Sequence, residues 1–127
     1  MRKLIASLLL GWMLLVSATP ASAHAQLVSA NPKSKATVYA LPTQVKLMFS
    51  DDLIDLEGGN QIQVTDPQGK RVDTGETVLL GNQLNTGLKK STILGKYKVT
   101  YRVLSEDGHP VSASYTFTLA KKPAKKK

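Results

Sequence analysis

The 127-residue chain contains no cysteine, one tryptophan and two histidines, and each scarcity excludes a class of protein. Without cysteine no disulfide staples the fold, no thiolate metal site forms, and no lipid-attachment cysteine follows the leader. The nucleophile motif G-x-S-x-G, the zinc motif H-E-x-x-H and a phosphate-binding P-loop are all missing. Nothing beyond residue 23 is apolar enough to span a bilayer, and no stretch of any length carries a helical period.

What is present begins with an address. Arg2 and Lys3 precede an apolar run from Leu4 to Val16, which closes on Pro20 and the small residues Ala21, Ser22 and Ala23. The run is shorter than the ~20 residues of a spanning helix and ends in an A-x-A site, so residues 1–23 read as a cleaved secretory signal peptide. Cleavage leaves roughly 100 residues, one domain of ordinary small size, which we place at residues 24–119. It also makes His24 the first residue of the exported protein.

The formal charge of +8 and the pI near 9.8 suggest nucleic acid until they are dissected. Arg2 and Lys3 leave with the leader, and five lysines (121, 122, 125, 126 and 127) lie in the tail, residues 120–127. The remaining body is only about +1, so no nucleic-acid partner is expected. A tail of Lys, Pro and Ala has nothing to pack, and disorder is its default. Weak attraction to anionic surfaces is its second reading.

The body is patterned with period two. Gln44–Ser50 sets Val45, Leu47 and Phe49 on one face and Lys46 and Met48 on the other, and Gln61–Thr65 repeats this with Ile62 and Val64. Lys96–Leu104 directs Tyr97, Val99, Tyr101 and Val103 inward, and Ser112–Leu119 does so with Ala113, Tyr115, Phe117 and Leu119. Shorter strands are expected at Leu27–Ser29, Val78–Leu80 and Gln83–Leu88, a type I turn at Asp66-Pro67-Gln68-Gly69, and a loop over Asp51–Gly59. About seven short strands at this spacing predict an all-β, antiparallel, immunoglobulin-like sandwich.

The two histidines carry the chemistry. A terminal His24 offers a metal its α-amine and its imidazole Nδ1 together. His109 lies in Asp107-Gly108-His109-Pro110, where Pro110 favours an extended His109 and the i, i+2 spacing aims the Asp107 carboxylate and the imidazole the same way. Three nitrogens and one oxygen suit tetragonal Cu(II), with Ni(II) next. Asp-Gly is ordinary turn sequence, and a lone Asp-x-His pair is weak evidence for a metal. A histidine at the predicted mature terminus is a second, independent coincidence.

Three segments resemble the CopC family of periplasmic copper-resistance proteins. They are His24-Ala25-Gln26-Leu27-Val28-Ser29-Ala30-Asn31-Pro32, Val45-Lys46-Leu47-Met48-Phe49-Ser50-Asp51, and the run from Gly95 to Val111 containing Ser105-Glu106-Asp107-Gly108-His109. The resemblance extends from His24 to about Leu119. It implies a seven-stranded Greek-key β-barrel, a periplasmic location, and one Cu(II) per chain held by His24, Asp107 and His109, with a copper importer or efflux component as partner. Asp51 stands where the family usually has glutamate, and its shorter side chain is expected to reach the metal only through water or through a hydrogen bond to a ligand. Some members add a methionine-rich Cu(I) site; here Met48 alone follows the leader. The rival reading is a histidine-brace copper monooxygenase acting on polysaccharide, which the same His24 resembles. Loss of Trp12 with the leader removes the tryptophan of a sugar platform, and a carboxylate ligand stabilises Cu(II) against reduction. We therefore read a carrier without turnover.

Overall fold

The computed structural model describes residues 24–124. The signal peptide expected at residues 1–23 and the lysines at positions 125–127 lie outside the described residues. Eight strands form two four-stranded sheets: β1 (Leu27–Asn31), β2 (Thr37–Val38), β3 (Gln44–Phe49), β4 (Gln61–Thr65), β5 (Asp73–Leu80), β6 (Gln83–Leu88), β7 (Gly95–Leu104) and β8 (Pro110–Leu119). One sheet runs β1-β3-β6-β5 and the other β2-β8-β7-β4, the arrangement of a β-sandwich. No helix occurs among the described residues, and residues 50–60 form a loop, as their paired glycines and clustered acids suggest.

The period-two pattern becomes the core. Val45, Leu47 and Phe49 face Tyr97, Val99, Tyr101 and Val103 across the sandwich, all buried, while Met48 is exposed on the wet face. Tyr97 stacks on Phe117, ring centroids 5.4 Å apart, and its hydroxyl donates to the Ile93 carbonyl at 2.7 Å. The turn after β4 forms as its sequence predicts: Gly69 N–H donates to the Asp66 carbonyl at 2.9 Å, and Asp66 Oδ1 accepts from Gln68 N at 2.8 Å.

Four details differ from the sequence reading. The first is β2, a two-residue strand without alternation, which pairs parallel to the end of β8 rather than antiparallel. Second, β5 begins at Asp73, five residues before the expected start, because its first half is a bulged segment that pairs irregularly with β6. Third, β8 starts at Pro110 rather than Ser112, since it pairs with β7 along the whole length to Leu104. Fourth, Ala113 is exposed although its parity with Phe117 points it inward: it pairs with Tyr101 near the end of the sandwich, where a methyl is too short to reach cover.

An open edge is closed by side chains. On β4, Val64 N–H donates to Asp73 Oδ1 at 2.9 Å and Ile62 N–H to Thr77 Oγ1 at 3.2 Å, so β5 joins the two sheets along this side without a full ladder. Exposed strand edges invite pairing with other chains, and two of the donors of β4 are occupied in this way.

Candidate metal centre

The β7–β8 hairpin ends in a tight loop. Ser105 N–H donates to the His109 carbonyl at 3.1 Å and Gly108 N–H to the Ser105 carbonyl at 2.9 Å, with Gly108 at φ 83°, a conformation that glycine adopts without penalty. Asp107 and His109 therefore meet across a turn, not along an extended segment as the i, i+2 argument supposed. The turn brings them closer: Asp107 Oδ1 accepts from His109 N at 3.0 Å, and Oδ2 lies 3.1 Å from His109 Nδ1.

The same Oδ2 lies 3.1 Å from His24 Nδ1. His24 is brought there by the segment that follows it, which is strapped at two points. Ala25, buried, donates its N–H to Ser105 Oγ at 3.3 Å. Gln26 donates its N–H to Ser50 Oγ at 3.0 Å, and its carbonyl accepts from Ser50 N at 2.7 Å. The two residues before β1, Ala25 and Gln26, are thus fixed between the β7–β8 loop and the end of β3.

His24, Asp107 and His109 each present a ligand atom within 4.8 Å of the other two. The two rings meet edge to face, 5.4 Å between centroids at 72°. The side chains are 53%, 21% and 69% exposed, so the cluster opens directly to solvent. Metal–ligand bonds of ~2.0–2.2 Å at right angles separate neighbouring donor atoms by about 3 Å, and the N···O distances of 3.1 Å match. The Asp107 carboxyl is held below the ordinary carboxylate range, first by the His109 backbone N–H, then by its imidazole, with the charge of His24 adding to both. It is ionised throughout the neutral range, the form in which a carboxylate can bind a metal.

Asp51 is not in the cluster. Its Oδ2 accepts from Ser50 Oγ at 2.9 Å, which orients the hydroxyl that holds Gln26. Ser105 escaped the sequence reading altogether; its one legible signal is a serine at the close of a strongly alternating strand, a common turn residue with no metal chemistry of its own. We expect Ser105→Ala to weaken metal binding by about tenfold, at the low end for groups that orient a ligand, while costing only ~1 kcal/mol of stability. Metal titration and urea unfolding of the same variant would check this; unchanged affinity would mean the strap does not position His24.

A small β-sandwich with two imidazoles and a carboxylate converging at one end defines a class, that of β-sandwiches with a candidate metal centre between their loops, and comparison with known proteins narrows it. The model of the CopC domain matches residues 27–120. Copper resistance protein C of Escherichia coli is 29% identical over 89% of this chain and 94% of its own length. The Copper transport protein CutJ of Bacillus subtilis is 31% identical over 78% of this chain, which spans only 18% of that longer protein. The crystal structure of CopC from Methylosinus trichosporium OB3b superposes with a TM-score of 0.65 at 32% identity, covering 81% of this chain and all of that one. The chain belongs to the CopC family, a family of copper resistance and transport proteins. The domain match begins three residues after His24 and so does not include that residue.

Proposed function

We propose that the protein is a periplasmic Cu(II) carrier that sequesters copper or hands it to an importer or efflux component, with one ion per chain and no turnover. The observation that carries this reading is the placement of Asp107 Oδ2 at 3.1 Å from both His24 Nδ1 and His109 Nδ1. In this reading residues 1–23 are removed on export, residues 24–119 are the copper domain and residues 120–127 are a lysine-rich tail. The α-amine freed at His24 joins its own Nδ1, the Asp107 carboxylate and the His109 imidazole to complete a three-nitrogen, one-oxygen set. Such a set favours tetragonal Cu(II), which also heads the affinity order for divalent ions.

Titration of the exported protein with Cu(II), followed by paramagnetic resonance, tests this. The expected result is one tight equivalent with a tetragonal, nitrogen-rich spectrum. Loose binding of several ions with oxygen-only spectra would defeat the proposal.

Met48 is the one methionine among the described residues, and it stands on an outward sheet face. Soft thioether donors that would hold Cu(I) are therefore scarce. We expect Cu(I) to be stripped readily by a Cu(I) chelator under conditions that leave Cu(II) bound; retention of reduced copper would reveal an unrecognised ligand set. The functional names among the relatives, copper resistance and copper transport, fit a carrier better than the monooxygenase alternative. The copper form with reductant and oxygen is expected to leave polysaccharides uncut.

A further inference from the structure

The metal cluster occupies one end of the sandwich, and the charges of the chain are sorted along the axis that leads away from it. At the metal end the connecting segments are residues 24–26, 50–60, 81–82 and 105–109. They contain Asp51, Asp52, Asp55, Glu57, Glu106 and Asp107, all exposed, and no lysine or arginine. The opposite end is the reverse. Lys33 and Lys35 lie between β1 and β2, Lys70 after β4, Lys89 and Lys90 after β6, and Lys121 and Lys122 after β8, all exposed.

Of the acids on that half of the sandwich, Glu76 on β5 is exposed, and the other two are engaged. Asp66 is buried and accepts from the N–H groups of Gln68 and Lys70 in its own turn. Asp73 is buried and paired with Arg71. The loops sit together: Lys89 N–H donates to the Val72 carbonyl at 2.7 Å, and Gly95 packs against Pro67. With β7 and β8 ten residues each, the two ends are about 30 Å apart, several Debye lengths at ~8–10 Å in physiological salt. Neither pole cancels the other.

At the basic pole a shallow groove of about 430 Å³ is lined by Tyr39, Leu41, Leu94, Leu119, Lys121 and Lys122. Tyr39 and Leu94 are 53% and 54% exposed. In the sequence, three further lysines, Lys125, Lys126 and Lys127, follow Ala124. We propose that this pole docks on an anionic phospholipid surface, with Tyr39 and Leu94 at the headgroup level and the metal cluster directed away from the bilayer.

The charge complement is diffuse. It consists of lysines, which act as point charges, while the one arginine of this pole is committed to Asp73, so no rigid fork aims at a defined carboxylate. Scattered ammonium groups around an exposed tyrosine and leucine suit a fluid surface of negative headgroups better than a shaped acidic protein. Each lysine near such a surface contributes about fivefold in binding. The inference does not depend on copper.

The test is co-sedimentation of the exported protein, its mass first shown to begin at His24, with vesicles of phosphatidylcholine containing about one-third phosphatidylglycerol or none. Binding is expected to the anionic vesicles only, and to weaken between ~50 and ~500 mM salt. Lys121→Ala with Lys122→Ala should lower it by more than about tenfold. Lys46→Ala with Arg102→Ala removes the same charge from the strands between the poles and should change it by less than about twofold. Tyr39→Ser should abolish the part that survives high salt. Equal binding to neutral vesicles, no binding to anionic ones, or equal effects of the two charge pairs would overturn the proposal. Capture by immobilised polyglutamate without vesicle binding would overturn it too, and assign the pole to an acidic protein.

Discussion

Extending the protein proposed to begin at His24 by one residue ahead of it is expected to lower Cu(II) affinity by more than about a hundredfold, because even groups that merely orient a ligand are worth 10–100-fold and the extension removes the α-amine that we propose as a ligand. The fold should be untouched. Ala25 and Gln26 hold the segment through Ser105 and Ser50, and neither contact uses a free terminus. His24→Ala, Asp107→Ala and His109→Ala should fall at least as far, each losing one donor of the cluster. The authentic protein should also release copper on acidification before the Asp107 carboxyl protonates. An α-amine has an ordinary pKa of about 7.7–8.0 and binds only when deprotonated, whereas Asp107 titrates below the usual carboxylate range. Side-by-side titration of authentic and extended proteins, with circular dichroism confirming that both are folded, decides the matter. Equal affinities would mean that the amine is not a ligand.

Replacing Asp73 by alanine should cost about 2–4 kcal/mol of stability, since it leaves the buried Val64 N–H, 2.9 Å away, without a partner at ~1–3 kcal/mol, and also frees the part-buried Gly75 N–H at 3.2 Å. It also pairs with Arg71 at 2.7 Å. Burial alone would raise this carboxyl, but the Arg71 hydrogen bonds, the Val64 N–H and the Arg71 charge together bring it below its ordinary value. A group with a depressed folded pKa stabilises above its unfolded value, near 3.8, and loses that contribution as the pH falls through the lower folded value. The difference between the parent and Asp73→Ala should therefore be full at neutral pH and shrink below about pH 4. Urea unfolding at both pH values measures it; a constant difference would mean that the carboxylate charge is not what holds β4. Copper affinity should survive the change, since Asp73 lies at the end of the sandwich remote from the metal cluster.

Alternation was enough to locate most of the strands. Gln61–Thr65 and Gln83–Leu88 coincide with β4 and β6, and the inward faces of β3 and β7 are those the pattern gave. The pattern failed where burial is not periodic. Two-residue β2 has no period to read, the bulged half of β5 is exposed on successive residues, and Ala113 has core parity without core cover. His24, Asp107 and His109 could be proposed from residue type, the cleavage site and a family resemblance, because ligand chemistry resides in side chains.

What brings those three residues together is not local. It depends on Ser50 and Ser105, one at the end of β3 and the other 55 positions later, gripping the same segment through its backbone N–H groups. A backbone donor has no side-chain signature, so such a strap cannot be read from composition. The same holds for the charge. Sequence counting finds a nearly neutral body, correctly, because a sum carries no direction. Only the folding of eight strands into two sheets sends the 50–60 and 105–109 loops to one end and the lysine-bearing loops to the other, and thereby separates six acids from seven lysines along the axis of the molecule.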